Sequence, residues 1–68
     1  KPLGAYYKSQ EDDTYKRDYE NAIVAVNMTY HDTIVHFDHT MRDETTGMEG
    51  KDFFLTSKDG RIYIRAGL

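Results

Sequence analysis

Two apolar runs separated by the short polar step His31-Asp32 dominate the chain and together cover Ala22–Asp38. β-Branched residues are frequent in the first run, which favours a strand over a helix. The second run places alternate residues on one face, a period typical of a strand covered on one side; these residues are Val35, Phe37, His39 and Met41. The pattern predicts a β-hairpin with its tip at His31-Asp32.

Two shorter alternating segments follow a glycine-containing loop at residues 42–50. Residues 51–57 predict a third strand, and residues 61–65 predict a fourth with Ile62 and Ile64 pointing inward. The intervening Ser57-Lys58-Asp59-Gly60 is typical of a tight hairpin turn in which the glycine supplies a positive φ. The chain is therefore expected to fold as an antiparallel meander of about four strands.

The first twenty residues lack this alternation. Residues 1–9 predict an irregular, tyrosine-rich arm. Ser9 followed by Asp12 resembles a helix N-cap with an acidic first turn, and Tyr15 and Tyr19 are spaced to share a helix face. A short helix over about residues 10–20 is one possibility, and the alternative is that the irregular arm continues through this segment.

These elements divide the chain into an N-terminal arm at residues 1–20 and a single small β domain at residues 21–68. The predicted fold class is mainly β, or α+β if the helix forms. A chain of 68 residues allows one domain. Its core is marginal, because a chain of this size buries only about 60% of its unfolded surface, so we expect a partner surface to contribute stability.

Composition indicates which cellular compartment and which kinds of partner to expect. The chain has no cysteine and shows no apolar signal segment, which favours an intracellular location, mitochondrial or cytoplasmic. No apolar run approaches the ~20 residues that span a bilayer, so we expect no membrane partner. Nine basic and twelve acidic residues give a net charge of −3, which argues against attachment to nucleic acid by bulk electrostatics.

Charge is unevenly distributed, because the arm contains the acidic group Glu11, Asp12 and Asp13 whereas residues 51–68 are net basic. In the predicted fourth strand an outward row mixes cations with an aromatic ring, and such a row can pair with phosphates and stack on a base. Its members are Arg61, Tyr63 and Arg65. The alternative interpretation of this row is an ordinary solvated strand face.

No catalytic or metal signature is visible. His36 and His39 would point to opposite faces of one strand, and no thiolate is present, so we expect no metal site. The adjacent carboxylates Asp12-Asp13 and Asp43-Glu44 lie in polar segments without the burial that general acid–base catalysis needs. The sequence predicts neither an enzyme nor a cofactor.

The stretch Ile23–Asp38 resembles the first hairpin of the universal small-subunit ribosomal protein family S-eleven. Residues that keep that family's residue or residue type, in order, are Thr29, Tyr30, Asp32, Thr33, Ile34 and Val35. Thr46–Gly50 further resembles the Cys-Gly-x-Glu-Gly segment of mitochondrial members. The resemblance covers about residues 20–60 and implies a mixed sheet flanked by helices, in contact with ribosomal RNA and neighbouring ribosomal proteins.

The resemblance also implies where those contacts would lie. Lys51 and Lys58 would be phosphate contacts. The hairpin tip would face RNA or a neighbouring protein through Tyr30, His31, Asp32 and Thr33.

Two functions from different classes follow. The first is a structural, non-catalytic component of a ribonucleoprotein that contacts RNA or neighbouring proteins. The second is a small all-β interaction module or inhibitor, of phage or bacterial type, that binds a basic protein through the acidic arm. Its contact residues would be Tyr6, Tyr7, Glu11, Asp12 and Asp13. Salt-dependent RNA binding distinguishes the two.

Overall fold

The computed structural model describes residues 3–66, and these residues are all β. Six strands form one antiparallel sheet in the order β1-β2-β3-β6-β4-β5, which does not close on itself. The strands are β1 (Tyr7–Lys8), β2 (Thr14–Asp18), β3 (Ala22–Asn27), β4 (Thr33–Asp43), β5 (Glu49–Leu55) and β6 (Gly60–Arg65). The predicted mainly-β fold with an antiparallel meander is confirmed, and the four predicted strands are β3 to β6. Residues 1, 2, 67 and 68, at the ends of the predicted arm and domain, lie outside the described residues.

The strands do not pair in the predicted order. β3 and β4 do not form a hairpin, because β6 lies between them, and β4 likewise separates β5 from β6. The polar step His31-Asp32 therefore connects strands that are not neighbours in the sheet. The predicted turn before β6 has its positive φ at Lys58 (60°) rather than at Gly60. Alternation indicates which face a residue occupies, whereas strand partners depend on contacts distant in sequence.

Segment 10–20 is not helical, since it contains strand β2. Tyr15 pairs with Val26 of β3 across an antiparallel ladder. The inward face of β2 is polar yet buried: Thr14 is fully buried and Lys16 is 6% exposed. The helical alternative is therefore wrong, and the polar inward face explains why the strand period is not visible in the sequence. Among residues 3–66 no helix is long and apolar enough to cross a membrane.

The core lies on the inward faces of β3 to β6, and strand β4 pairs with both β5 and β6. Its register against β5 shifts between His36 and Met41, and beyond the shift it also pairs with β6. The shift leaves His39 exposed instead of inward, where alternation had placed it. The buried hydrophobic residues are Ala25, Val35, Phe37, Met41, Leu55 and Tyr63.

Strand β6 presents to the core the set of residues opposite to the one predicted. Tyr63 is fully buried, with its ring centroid 4.9 Å from that of Phe37 and 4.8 Å from that of Phe53, whereas Ile62 is 48% exposed. Both alternating sets of β6 contain apolar residues, so hydropathy alone could not choose between them. Packing of three aromatic rings decides the orientation.

Candidate functional site

The loop at residues 9–13, between β1 and β2, is attached to β4 by a buried ion pair. Lys16 Nζ lies 3.3 Å from Asp12 Oδ2, and the two side chains are 8% and 3% exposed. Asp12 accepts a hydrogen bond from the His36 backbone N–H at 2.9 Å, and Lys16 donates one to the His36 carbonyl oxygen at 2.7 Å. The pair thereby provides hydrogen-bond partners for the backbone N–H and carbonyl of His36, a residue that lies outside the β4–β6 ladder.

The Asp12 carboxylate is held in its ionised form. Burial by itself raises its pKa, but hydrogen bonds from the Thr14 hydroxyl and the His36 amide, with the charge of Lys16, lower the pKa below its ordinary value. The Asp12 side chain therefore has a structural role, which is to hold the loop on β4. With 3% of it exposed, Asp12 cannot serve as the partner contact predicted from the sequence.

Beside this pair, carboxylates from the loop and from two strands surround the His36 ring. Its Nδ1 lies 2.6 Å from Asp52 Oδ1 of β5, and its Nε2 lies 3.4 Å from Glu11 Oε2 of the loop. The hydrogen bond to Asp52 raises the pKa of His36, and the charges of Asp52, Glu11 and Asp38 add to this effect. Glu11, His36 and Asp38 offer three potential metal-ligand atoms within 4.8 Å of one another, and we call them the His36 group.

The His36 group is the one such set of potential ligands found among residues 3–66. Its three residues line a cleft of about 710 Å³, within the ~300–1,000 Å³ range of ligand pockets. Lys16, Phe37 and Met41 also line the cleft. Because the His36 group places two carboxylates in this cleft, its chemistry favours a cation over a phosphate.

The other surface of strands β1, β2, β3 and β6 is different in character. Strand pairing places on it Lys8, Tyr15, Arg17, Ala22, Val24, Val26, Gly60, Ile62 and Ile64. No carboxylate occurs among these described strand residues. The strand residues of this surface are therefore apolar or basic, although the Asp13 carboxylate lies 3.9 Å from Lys8 Nζ.

An apolar depression of about 430 Å³ opens on this surface, lined by Tyr6, Tyr15, Val26 and Met28. Arg17 Cζ lies 5.5 Å from the centre of the Tyr6 ring, and Arg17 Nε donates to the Gly4 carbonyl oxygen at 2.9 Å. Arg17 thus fixes the N-terminal arm against the sheet. The four lining residues together with Arg17 form what we call the tyrosine face.

The predicted tip is an exposed loop connected to the turn before β6. Tyr30 is 91% exposed, and Lys58 Nζ lies 4.3 Å from its ring centre. Asp32 accepts a hydrogen bond from the Ser57 backbone N–H at 2.9 Å. His31 is exposed and Thr33 is half-buried. The structure brings Lys58 to this tip, whereas Lys51 lies apart from it, exposed on β5.

The predicted RNA-binding row of β6 does not form. Tyr63 cannot stack on a base, because its side chain is buried on the core-facing side of β6. Arg61 Nη1 lies 3.1 Å from Asp43 Oδ2, and Arg61 Nε lies 3.4 Å from Asp59 Oδ2, so two carboxylates neutralise its charge. Arg65 is exposed at the cleft. The expectation of an outward cation–aromatic row was wrong at Tyr63.

Of the other predicted arm contacts, Tyr6 belongs to the tyrosine face, and Glu11 and Asp13 are exposed. Tyr7 donates its hydroxyl hydrogen to Asp18 Oδ1 at 2.9 Å, and burial together with this carboxylate raises the pKa of Tyr7 to about 12. Sequence reasoning missed the His36 group because it compared the histidines only with one another. Glu11 lies far from His36 in sequence, and no local pattern connects them.

No known protein family, curated protein or solved structure matches this chain. The resemblance to the S-eleven ribosomal family therefore stays a sequence-based prediction. The helices that the resemblance implies do not occur among residues 3–66.

Proposed function

We propose that this protein is a small, non-catalytic binding module whose tyrosine face recognises an acidic protein surface. The observation that carries the proposal is the exposed apolar depression formed by Tyr6, Tyr15, Val26 and Met28. An exposed apolar patch beside charged side chains is a candidate binding site.

The residue types of the tyrosine face fit a protein interface. Tyr6, Tyr15 and Met28 are 46%, 41% and 56% exposed, so each has surface left to bury against a partner. Tyrosine, methionine and arginine are enriched in interface cores, and tyrosine and arginine dominate binding hot spots. Arg17 holds Tyr6 in place, which limits the side-chain entropy lost on binding.

Charge indicates the partner's chemistry. Lys8 and Arg17 lie on this surface, and its strand residues include no carboxylate. A partner that presents carboxylates around an apolar anchor would complement it. The proposed partner is therefore acidic, in contrast to the basic partner expected from the arm's composition.

RNA is the second candidate, because tyrosine rings beside cations can stack on bases. Arg17 lies 5.5 Å from the Tyr6 ring and Lys8 lies 5.9 Å from the Tyr15 ring. One feature favours a protein instead: aliphatic side chains share the depression with the tyrosines.

A photo-crosslinking experiment tests the proposal. Benzoylphenylalanine in place of Tyr15 is expected to capture a protein in cells that express the chain naturally, and mass spectrometry identifies it. The Met28→Ser variant should then weaken binding of that purified partner by about tenfold or more. Phe54→Ser is the matched control, since Phe54 is 65% exposed but lies on β5, and it should change affinity by less than about twofold.

Three results would count against a protein-binding tyrosine face. One is equal loss of affinity in Met28→Ser and Phe54→Ser. Another is absence of any specific crosslink from position 15. A crosslinked product that nuclease digests would instead identify RNA as the ligand.

A further inference from the structure

The His36 ring lies where the loop at residues 9–13, β4 and β5 meet, and one of its nitrogens already has a partner. At 2.6 Å from Asp52 Oδ1, Nδ1 is within hydrogen-bond distance of a carboxylate. In a neutral ring, Nδ1 must carry the hydrogen in order to donate it to this carboxylate. The lone pair is then on Nε2. Metal-bound histidines characteristically donate their other N–H to a carboxylate in this manner.

One carboxylate lies beside the nitrogen that carries the lone pair, and a second belongs to the same group. Glu11 Oε2 lies 3.4 Å from Nε2, and Asp38 completes a group whose ligand atoms all lie within 4.8 Å of one another. Two ligands of a tetrahedral zinc ion, with bonds of about 2.1 Å, are about 3.4 Å apart. Glu11 and His36 therefore already have the spacing that zinc requires, and a small adjustment of the exposed Asp38 side chain completes the set.

The fold itself brings these ligands together. Glu11 precedes Asp12, whose buried carboxylate accepts the His36 backbone N–H at 2.9 Å. Lys16 attaches the same loop to the His36 carbonyl oxygen at 2.7 Å. The loop is thus held on β4 by contacts that do not involve the Glu11 carboxylate, and these contacts place Glu11 beside Nε2 of His36.

We infer that Glu11, His36 and Asp38 bind a divalent transition-metal ion, with zinc as the occupant, and that Asp52 is the positioning residue for the imidazole. One imidazole with two carboxylates suits zinc better than magnesium or calcium, which prefer sites made of oxygen ligands alone. Three protein ligands leave a coordination position open to water or to a ligand in the cleft. The site is separate from the tyrosine face and does not depend on the proposed function.

Isothermal titration of the metal-free protein with zinc tests this inference, together with NMR observation of the histidine rings. We expect one saturable site and a selective shift of the His36 ring resonances. Asp52→Asn should weaken zinc binding by about 10- to 100-fold, and His36→Ala should weaken it further. His39→Ala is the matched control, because it removes an exposed histidine outside the group and should leave affinity unchanged.

Glu11→Gln and Asp38→Asn provide variants that retain side-chain size at exposed positions, with folding checked by circular dichroism. Each should weaken zinc binding while leaving the spectrum unchanged. The inference is wrong if zinc shows no saturable binding at millimolar concentration. It is also wrong if His39→Ala weakens binding as much as His36→Ala does, or if magnesium shifts the His36 ring as strongly as zinc.

Discussion

The Asp12 carboxylate accepts a hydrogen bond from the backbone N–H of His36 at 2.9 Å, which joins the loop before β2 to the middle of β4. This contact determines two features of the molecule. It joins the β1–β2 loop to β4 through side chains, where the two segments have no strand pairing. It also places Glu11 beside the His36 ring.

Asp12→Ala is expected to destabilise the protein by about 3–5 kcal/mol, because it leaves the Lys16 ammonium and the His36 amide buried without their partner. Urea unfolding measures the free energy. Asp13→Ala is the control, since the Asp13 side chain is 56% exposed, and it should change stability by no more than about 0.5 kcal/mol. Equal urea midpoints for the two variants would contradict a structural role for Asp12.

The same residue predicts how stability depends on pH. The pKa of Asp12 is lower in the folded chain than its ordinary value of 3.8, so the unfolded chain binds the proton more tightly. Its stabilisation is complete above the unfolded-state pKa and disappears as the pH falls through the lower folded-state pKa. Urea midpoints of the wild type and Asp12→Asn should therefore converge in acid. A difference between the two profiles that stays the same as the pH falls through that range would refute the linkage.

Tyr63 predicts a substitution that improves stability. Its hydroxyl is buried and has no hydrogen-bond partner among the described residues, and burial raises its pKa. Tyr63→Phe removes an unsatisfied polar group and should stabilise the protein by about 1 kcal/mol, whereas Tyr63→Ala should cost about 3–5 kcal/mol through the cavity it leaves. Thermal unfolding measures both variants. A clear loss of stability in Tyr63→Phe would show that the hydroxyl has a partner.

Lys58 has a φ of 60°, a region that β-branched residues avoid. Lys58→Val should destabilise the turn by about 1–3 kcal/mol, whereas asparagine tolerates this conformation. Both substitutions also remove the contact of Lys58 with Tyr30. The difference between Lys58→Val and Lys58→Asn in urea unfolding therefore isolates the backbone effect, and similar stabilities would contradict it.

Local patterns were sufficient to predict β3 to β6. These strands contain apolar residues that are mostly β-branched or aromatic, and such residues suit a pleated, half-buried surface. The same patterns failed at β2, where the inward residues Thr14 and Lys16 are polar. Their burial depends on contacts with Asp12 and with the His36 backbone, and such contacts cannot be predicted from the hydropathy pattern.

The candidate sites show the same division. The sequence predicts contact residues among the tyrosines of the arm, but the meeting of Tyr6 and Tyr15 with Val26 and Met28 depends on the pairing of β2 with β3. Glu11 was assigned to a partner surface and His36 to no site. Only the folding of the loop onto β4 brings the two side chains within 3.4 Å.

The sequence by itself predicted antiparallel strands in a mainly β chain and left a helix near residues 10–20 open, because residue alternation and β-branched content are local properties of a strand. The tertiary structure alone decided that β6 inserts between β3 and β4, that Tyr63 rather than Ile62 faces the core, and that the acidic loop meets a histidine. These outcomes depend on packing and ion pairing between residues far apart in the chain. Such contacts leave no periodic trace in the sequence, since each involves only a few residues from separate segments.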